Sequence, residues 1–308
     1  MRTLLTIFLC SCLAFACKQD ASKDKNQGVE SEEDTTIISY GTNNKEAQEK
    51  YEAAKKAYEE SPDDAEALIW YGRRAAYLGN FDEAIDIYSE GINKFPKDAR
   101  MLRHRGHRLI STKKYTEAIR DLTLASQLIE GTEDQIEKDG IPNAENTPIS
   151  TLHGNIWYHL ALAHYLNQDL KSAAKIYEKR FETHQNDDNI VSATHWYYMT
   201  LKGLGRDEEA KALLEPINKD MNIIENFAYH QLCLFYKGEL SVIELQEMNE
   251  DGLTDAHLYG LGNWNLYEAK DSIRANEYFD KLLNDGNKSS FAYLAAESDY
   301  LYQVGGEK

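Results

Sequence analysis

The basic side chains are the ones whose placement suggests binding chemistry. Arg73, Arg100, Arg103 and His107 fall within 73–107 of a chain whose net charge is −18. A guanidinium carries a planar fork of N–H donors that grips a carboxylate bidentately. Such a cluster suits an acidic side chain or a free C-terminal carboxylate. The competing reading is a solvated basic stripe, paired with the acidic N-terminal segment or with Asp63, Asp64 or Asp98.

Other chemistries find less support. His104 and His107 sit three residues apart, but Arg100, Arg103, Arg105 and Arg108 surround them. Adjacent positive charge opposes a divalent cation. His153, His159 and His164 are five or six residues apart and do not share a helix face. The sequence has no His-Glu-x-x-His, no Gly-x-Ser-x-Gly, no phosphate loop and no dinucleotide glycine fingerprint. The expectation is a non-catalytic protein without metal or cofactor, an enzyme with an unrecognised site being one alternative. Nucleic acid is disfavoured as a partner, because phosphate binding needs a basic footprint.

The elements that position the arginines are written in a 34-residue spacing. From Ala65 the landmarks are Leu68, Gly72, Ala75, Gly79, Phe81, Ala84, Tyr88 and Pro96; from Ala99 they are Leu102, Gly106, Leu109, Tyr115, Ala118, Leu122 and Ala125. Small residues recur at places eight and twenty and a bulky one at place seventeen. This pattern resembles the tetratricopeptide repeat (TPR), a helix pair that buries its apolar face only by stacking on neighbours. The expected fold is all-α, a TPR superhelix (α-solenoid) of five to six helix pairs with N- and C-terminal capping helices. Repeats are placed near 65–98, 99–132, 154–187, 191–224, 225–250 and 256–289, within a folded body spanning 45–303 and a short tail at 304–308. The low proline count of 5 agrees with a mostly helical chain. Segment 131–150, with two prolines and two glycines, reads as a long loop. Segment 290–303 reads as a half-solvated C-terminal cap.

In a TPR, places two, five, nine, twelve and thirteen face the concave groove. That resemblance puts Arg73, Tyr77, Arg100, Arg103 and His107 in one groove, with Tyr158, Tyr165, His195 and Trp264 further along it. The arginines look like the carboxylate-gripping clamp of TPR co-chaperones, which use Lys and Asn at several of these places where this chain does not. The aromatic residues suit a helical or extended peptide; as first-helix aromatics they are equally readable as core.

The N-terminus implies an address. Met1-Arg2 is a short basic region, and 3–16 is apolar but too short to span a bilayer. Leu13-Ala14-Phe15-Ala16-Cys17 resembles a bacterial lipobox, which implies a signal peptide over 1–16 and acylation, palmitate included, at Cys17. A plain secretory signal, or a rival lipobox ending at Cys12, are the alternatives. Segment 18–44 is polar and reads as a disordered tether, spanning roughly 30 Å as a coil. Its Cys17-Lys18-Gln19-Asp20 start resembles the surface-export signals of Bacteroidetes lipoproteins. The expected location is the cell envelope, lipid-anchored in the outer membrane, on its periplasmic side or at the cell surface. Cys233, in the apolar run Leu232-Cys233-Leu234-Phe235, reads as a buried structural thiol.

A repeat array on an acylated cysteine resembles the NlpI-type envelope adaptor lipoproteins. Phe235-Tyr236-Lys237-Gly238-Glu239-Leu240-Ser241, and 259–283 followed by a last helix, carry the likeness. The resemblance implies an adaptor that docks cell-wall hydrolases and a processing protease, as a homodimer. Loop 131–150 and the acidic tether depart from that family, and no functional residue is carried over from it. The expected partner is a protein or peptide, with an acidic or free C-terminal end. An outer-membrane protein assembly factor is the other alternative.

Overall fold

The structure, a computed structural model, describes residues 45–139, 142–183, 185–249 and 252–305. The lipobox, Cys17 and the tether read over 1–44 lie outside the described residues. Helix α1 (Lys45–Glu60) leads into six helix pairs: α2 (Ala65–Tyr77) with α3 (Phe81–Lys94), α4 (Ala99–Ser111) with α5 (Tyr115–Leu128), α6 (Leu152–Leu166) with α7 (Leu170–Arg180), α8 (Asp187–Gly203) with α9 (Asp207–Leu213), α10 (Phe227–Lys237) with α11 (Val242–Met248), and α12 (Asp255–Trp264) with α13 (Ser272–Asp285). Helix α14 (Phe291–Gly305) closes the chain. The fold is an all-α solenoid of TPR-type pairs. No described helix is long and apolar enough to cross a membrane.

Local chemistry sets the helix ends. Asp64 and Asp98, 34 residues apart, cap α2 and α4 by accepting from the backbone N–H of Glu66 and Arg100. The turn inside each pair passes through one left-handed residue: Gly79, Lys113, Gln168, Gly205, Gly238 and Lys270, with φ between 58° and 81°. Small residues permit close packing of a pair. A Cβ on Gly72 would lie 2.5 Å from Tyr88 Cζ, and one on Gly106 would lie 2.7 Å from Leu122 Cγ. Those contacts explain the small residue at place eight.

Two features differ from a simple open superhelix. The first is α14, which the sequence reading made a half-solvated cap. Phe291, Ala292, Leu294, Ala295 and Ala296 are at most 1% exposed. The helix packs on α6, α12 and α13, and Phe291 also reaches the His107 ring on α4. The first helices of several pairs therefore converge on α14, which fills the space they enclose. Its alanines let neighbours approach from more than one side. One buried apolar cluster consequently runs from Leu109 to Ala296, while α1, α2 and α3 share a smaller one ending at Met101.

The second is the 131–150 insertion, whose described residues form a strap. Ile136 makes an isolated antiparallel bridge with Thr151, flanked by Glu137 N–H to Ser150 C=O at 3.0 Å and Leu152 N–H to Gln135 C=O at 2.8 Å. Asn143 Nδ2 donates to Glu225 at 2.5 Å, and Ile149 C=O accepts from Asn186 and Asn189. The strap thus reaches from the second pair to the start of the fifth.

Candidate functional site

Helices α2 and α4 lay Arg73, Arg100, Arg103 and His104 along one face, and the strap lies over them. A space of about 170 Å³ remains, lined by Ile69, Arg73, Arg100, His104, Glu137 and Leu152 among others. Arg100, the most open of the three arginines, is satisfied locally. It donates to Asp98 at 2.6 Å and to Glu66 at 2.8 Å. Its guanidinium is therefore occupied by the repeat's own carboxylates, as the stripe reading had it.

Arg73 and Arg103 behave differently. Both are under a tenth exposed. Arg73 Nη1 donates to the backbone carbonyl of Lys138 at 2.7 Å, its other nitrogens reach Tyr77 Oη, and its guanidinium lies 4.6 Å from the Trp70 ring centroid. Arg103 Nη2 pairs with Glu137 at 2.9 Å, and its Nη1 donates to His104 Nδ1 at 3.1 Å. Burial and the neighbouring arginines hold His104 well below the usual imidazole pKa, so it is neutral at pH 7. With Nδ1 accepting, its proton sits on Nε2, which faces Glu137 Oε1 at 3.8 Å. Asn155 Nδ2 completes the set by donating to Glu137. Among the described residues, Arg103 Nε and His107 Nε2 are buried without a hydrogen-bond partner. The His107 ring meets those of His159 at 4.4 Å and Phe291 at 5.4 Å, both tilted, which puts it under α14 rather than in open groove.

Tyr158, Tyr165 and His195 lie in the interior, at 0%, 3% and 0% exposure, and present no open surface. Asn263 Nδ2 donates to Tyr165 Oη, Tyr165 meets Tyr259 Oη at 2.6 Å, and Tyr259 donates to Asp299 of α14 at 2.7 Å. Burial pushes the Asp299 carboxyl up to about 6. His195 stacks on Tyr229 at 4.6 Å and shares a hydrogen bond with Tyr236; burial pulls it down to about 3. Cys233 is buried, and burial pushes its thiol far above the usual range.

Trp264 has open space beside it. It borders a cleft of about 640 Å³ at the C-terminal ends of α8, α10 and α12, with Tyr198, Lys202, Phe235, Tyr236 and Tyr267. Tyr198 and Tyr236 stack at 4.3 Å, and Phe235 meets Trp264 edge-on at 5.0 Å. Lys202, almost buried, bridges Asp207 and Glu268. Directly after Trp264 the chain forms a π-helical turn, Asn265–Ala269, a feature frequent at functional sites. Among the described residues no group of three or more His, Cys, Asp or Glu is placed to hold a metal ion.

Sequence reasoning singled out the arginines and Trp264. It weighed His104 only as a metal ligand and missed Glu137 and Asn155. The available signal for Glu137 was a carboxylate inside an insertion that interrupts the repeats directly after the arginine-bearing helices.

Residues 43–104 match the family model for the tetratricopeptide repeat. No curated protein matches the chain. Among solved structures, YrrB, described as a TPR protein with an unusual peptide-binding site, is similar at 17% identity, covering 81% of this chain and 99% of that one, with a TM-score of 0.42. PilF of Pseudomonas aeruginosa is 16% identical, covering 85% of this chain and 90% of its own, with a TM-score of 0.47. The Cut9–Hcn1 hetero-tetramer of the APC/C matches at 13% identity, 85% of this chain and 44% of that one, with a TM-score of 0.48.

Proposed function

We propose that this protein is a non-catalytic scaffold of the bacterial cell envelope, anchored in the outer membrane through acylated Cys17, which recruits a protein or peptide as an adaptor for cell-wall hydrolases or proteases. The stacked TPR-type pairs support a binding role. The observation that carries the reading is the cleft beside Trp264. Aromatic side chains form its floor, charged ones its rim, and binding energy at interfaces concentrates on such anchors. The resemblance of 13–17 to a lipobox and the likeness to envelope adaptors support the location and the partner class.

The test is a photo-crosslinking residue at Tyr267, at the cleft edge, in intact cells carrying the anchored protein. Mass spectrometry should identify cell-wall hydrolases or proteases, and Trp264→Ala should abolish their capture. Capture of barrel-assembly components instead, or capture that survives Trp264→Ala, would overturn the adaptor reading.

A further inference from the structure

The strap does for the groove arginines what a bound acidic peptide would do. Arg73 and Arg103 are buried, and a buried guanidinium needs an acceptor. Among the described residues Arg103 finds its carboxylate in the insertion, whereas Arg100 pairs with two carboxylates of the repeats. Consecutive residues of the insertion supply acceptors to both: the Glu137 carboxylate to Arg103 and, beside Tyr77 Oη, the Lys138 carbonyl to Arg73. A side-chain carboxylate followed by a backbone carbonyl is what any extended peptide with an acidic residue presents.

We propose that the Arg73–Arg103–His104 face is a binding site for an acidic peptide segment, and that Glu137 occupies it as an internal stand-in which such a peptide displaces. At this point the strap is held by a single bridge with two backbone hydrogen bonds and by polar contacts, Asp134 accepting from the His153 N–H, Glu137 from Arg103 and Asn155, and the Lys138 carbonyl from Arg73; its apolar side chain here, Ile136, is 67% exposed. Lifting it therefore uncovers little apolar surface. The site also has capacity that Glu137 leaves unused. Arg103 Nε is buried without a partner, and the 170 Å³ space beside the strap adjoins Arg73, Arg100 and His104. A longer acidic ligand can reach both. This names a ligand class at a second surface, away from the Trp264 cleft, and stands or falls independently of the adaptor reading.

The experiment uses the full chain and fluorescein-labelled hexaglutamate with a free C-terminus, titrated by anisotropy at low ionic strength. Displacing the stand-in should cost the wild type affinity in proportion to the rarity of the lifted strap. Glu137→Gln, which removes the charge and keeps the shape, should therefore bind ~10-fold tighter or better. Arg103→Gln in that background should return binding to the wild-type level or below. A readout free of folding effects comes from the unmutated protein: saturating hexaglutamate should speed amide exchange across 131–150 while α2 and α4 stay protected. Equal competition by free glutarate would overturn the peptide assignment in favour of a small dicarboxylate site. Unchanged affinity in Glu137→Gln, or unchanged or slower exchange across 131–150, would overturn the stand-in. Neither Arg103→Gln nor Glu137→Gln touches the Trp264 cleft, so crosslinking at Tyr267 scores the adaptor reading separately.

Discussion

At the scale of single residues, burial decides what each charged group does. Arg100, Arg73 and Arg103 are the same residue type in one groove, yet only the two buried ones draw on the strap. The sequence shows the arginines, because their places in the repeat are readable. It hides Glu137, because an insertion carries no period to say which of its residues turns inward. Asp299 is the acidic counterpart. It accepts from Tyr259 and from Gln168 at 2.9 Å, and its pKa rises from 3.8 to about 6 because burial disfavours its charge. With the folded value raised, the folded state holds the proton more tightly than the unfolded chain. This group's contribution is therefore whole below pH 4 and is lost as pH climbs through 6. The raised value corresponds to a loss of about 3 kcal/mol across that window. Urea unfolding of wild type and Asp299→Asn at pH 4.5 and pH 7.5 checks it. The variant should be relatively more stable at the higher pH by a large part of that amount. An identical pH dependence in both proteins would refute the assignment.

At the scale of elements, the turn within each pair keeps one backbone geometry where the sequence does not keep one residue type. Every pair turns through a left-handed residue, but only Gly79, Gly205 and Gly238 are glycines. Lys113, Gln168 and Lys270 take the same conformation with a side chain, so the glycine signal vanishes where the geometry persists. Two of these carry a compensating contact. Lys113 pairs with Glu297 at 2.5 Å, and Gln168 donates to Asp299. Both contacts hold α14. Lys270 bears the conformational cost, about 1 kcal/mol for a residue with a Cβ, against only an exposed Coulombic attraction to Asp207. Lys270→Gly should therefore stabilise the protein by up to ~1 kcal/mol, whereas Gly238→Ala should destabilise it by a similar amount. Chemical denaturation of the two variants measures both signs. Destabilisation by Lys270→Gly would mean that its side chain does something for the fold at the cleft rim.

At the scale of the whole molecule, α14 changes the kind of object this is. A solenoid is quasi-one-dimensional, with each pair touching only its neighbours and unfolding possible from either end. Here one helix touches α6, α12 and α13 and reaches α4 through Phe291, so pairs distant in sequence share a single core. The signal was present in Phe291-Ala292-Tyr293-Leu294-Ala295-Ala296, apolar on all sides, because a helix without a polar face belongs in an interior. The repeat register masks it, since a last helix in such an array ordinarily serves as a solvated cap. The consequence is a prediction about cooperativity. Phe291 is fully buried, and Phe291→Ala should cost about 3–5 kcal/mol. Its location makes the pattern of that loss informative. In native-state hydrogen exchange, the slowest amides of α4, α6 and α12 should open together in the wild type, with one common free energy. Phe291→Ala should lower that value in all three helices by the same amount, although α4 and α12 are more than 140 residues apart. The α1–α3 unit, whose buried cluster ends at Met101 and is separate from the one that holds Phe291, should fall less. If protection dropped only in α12 and its sequence neighbours, α14 would be an ordinary cap on the last pair. The molecule would then be a linear array after all, with its concave face closed by proximity rather than by a shared core.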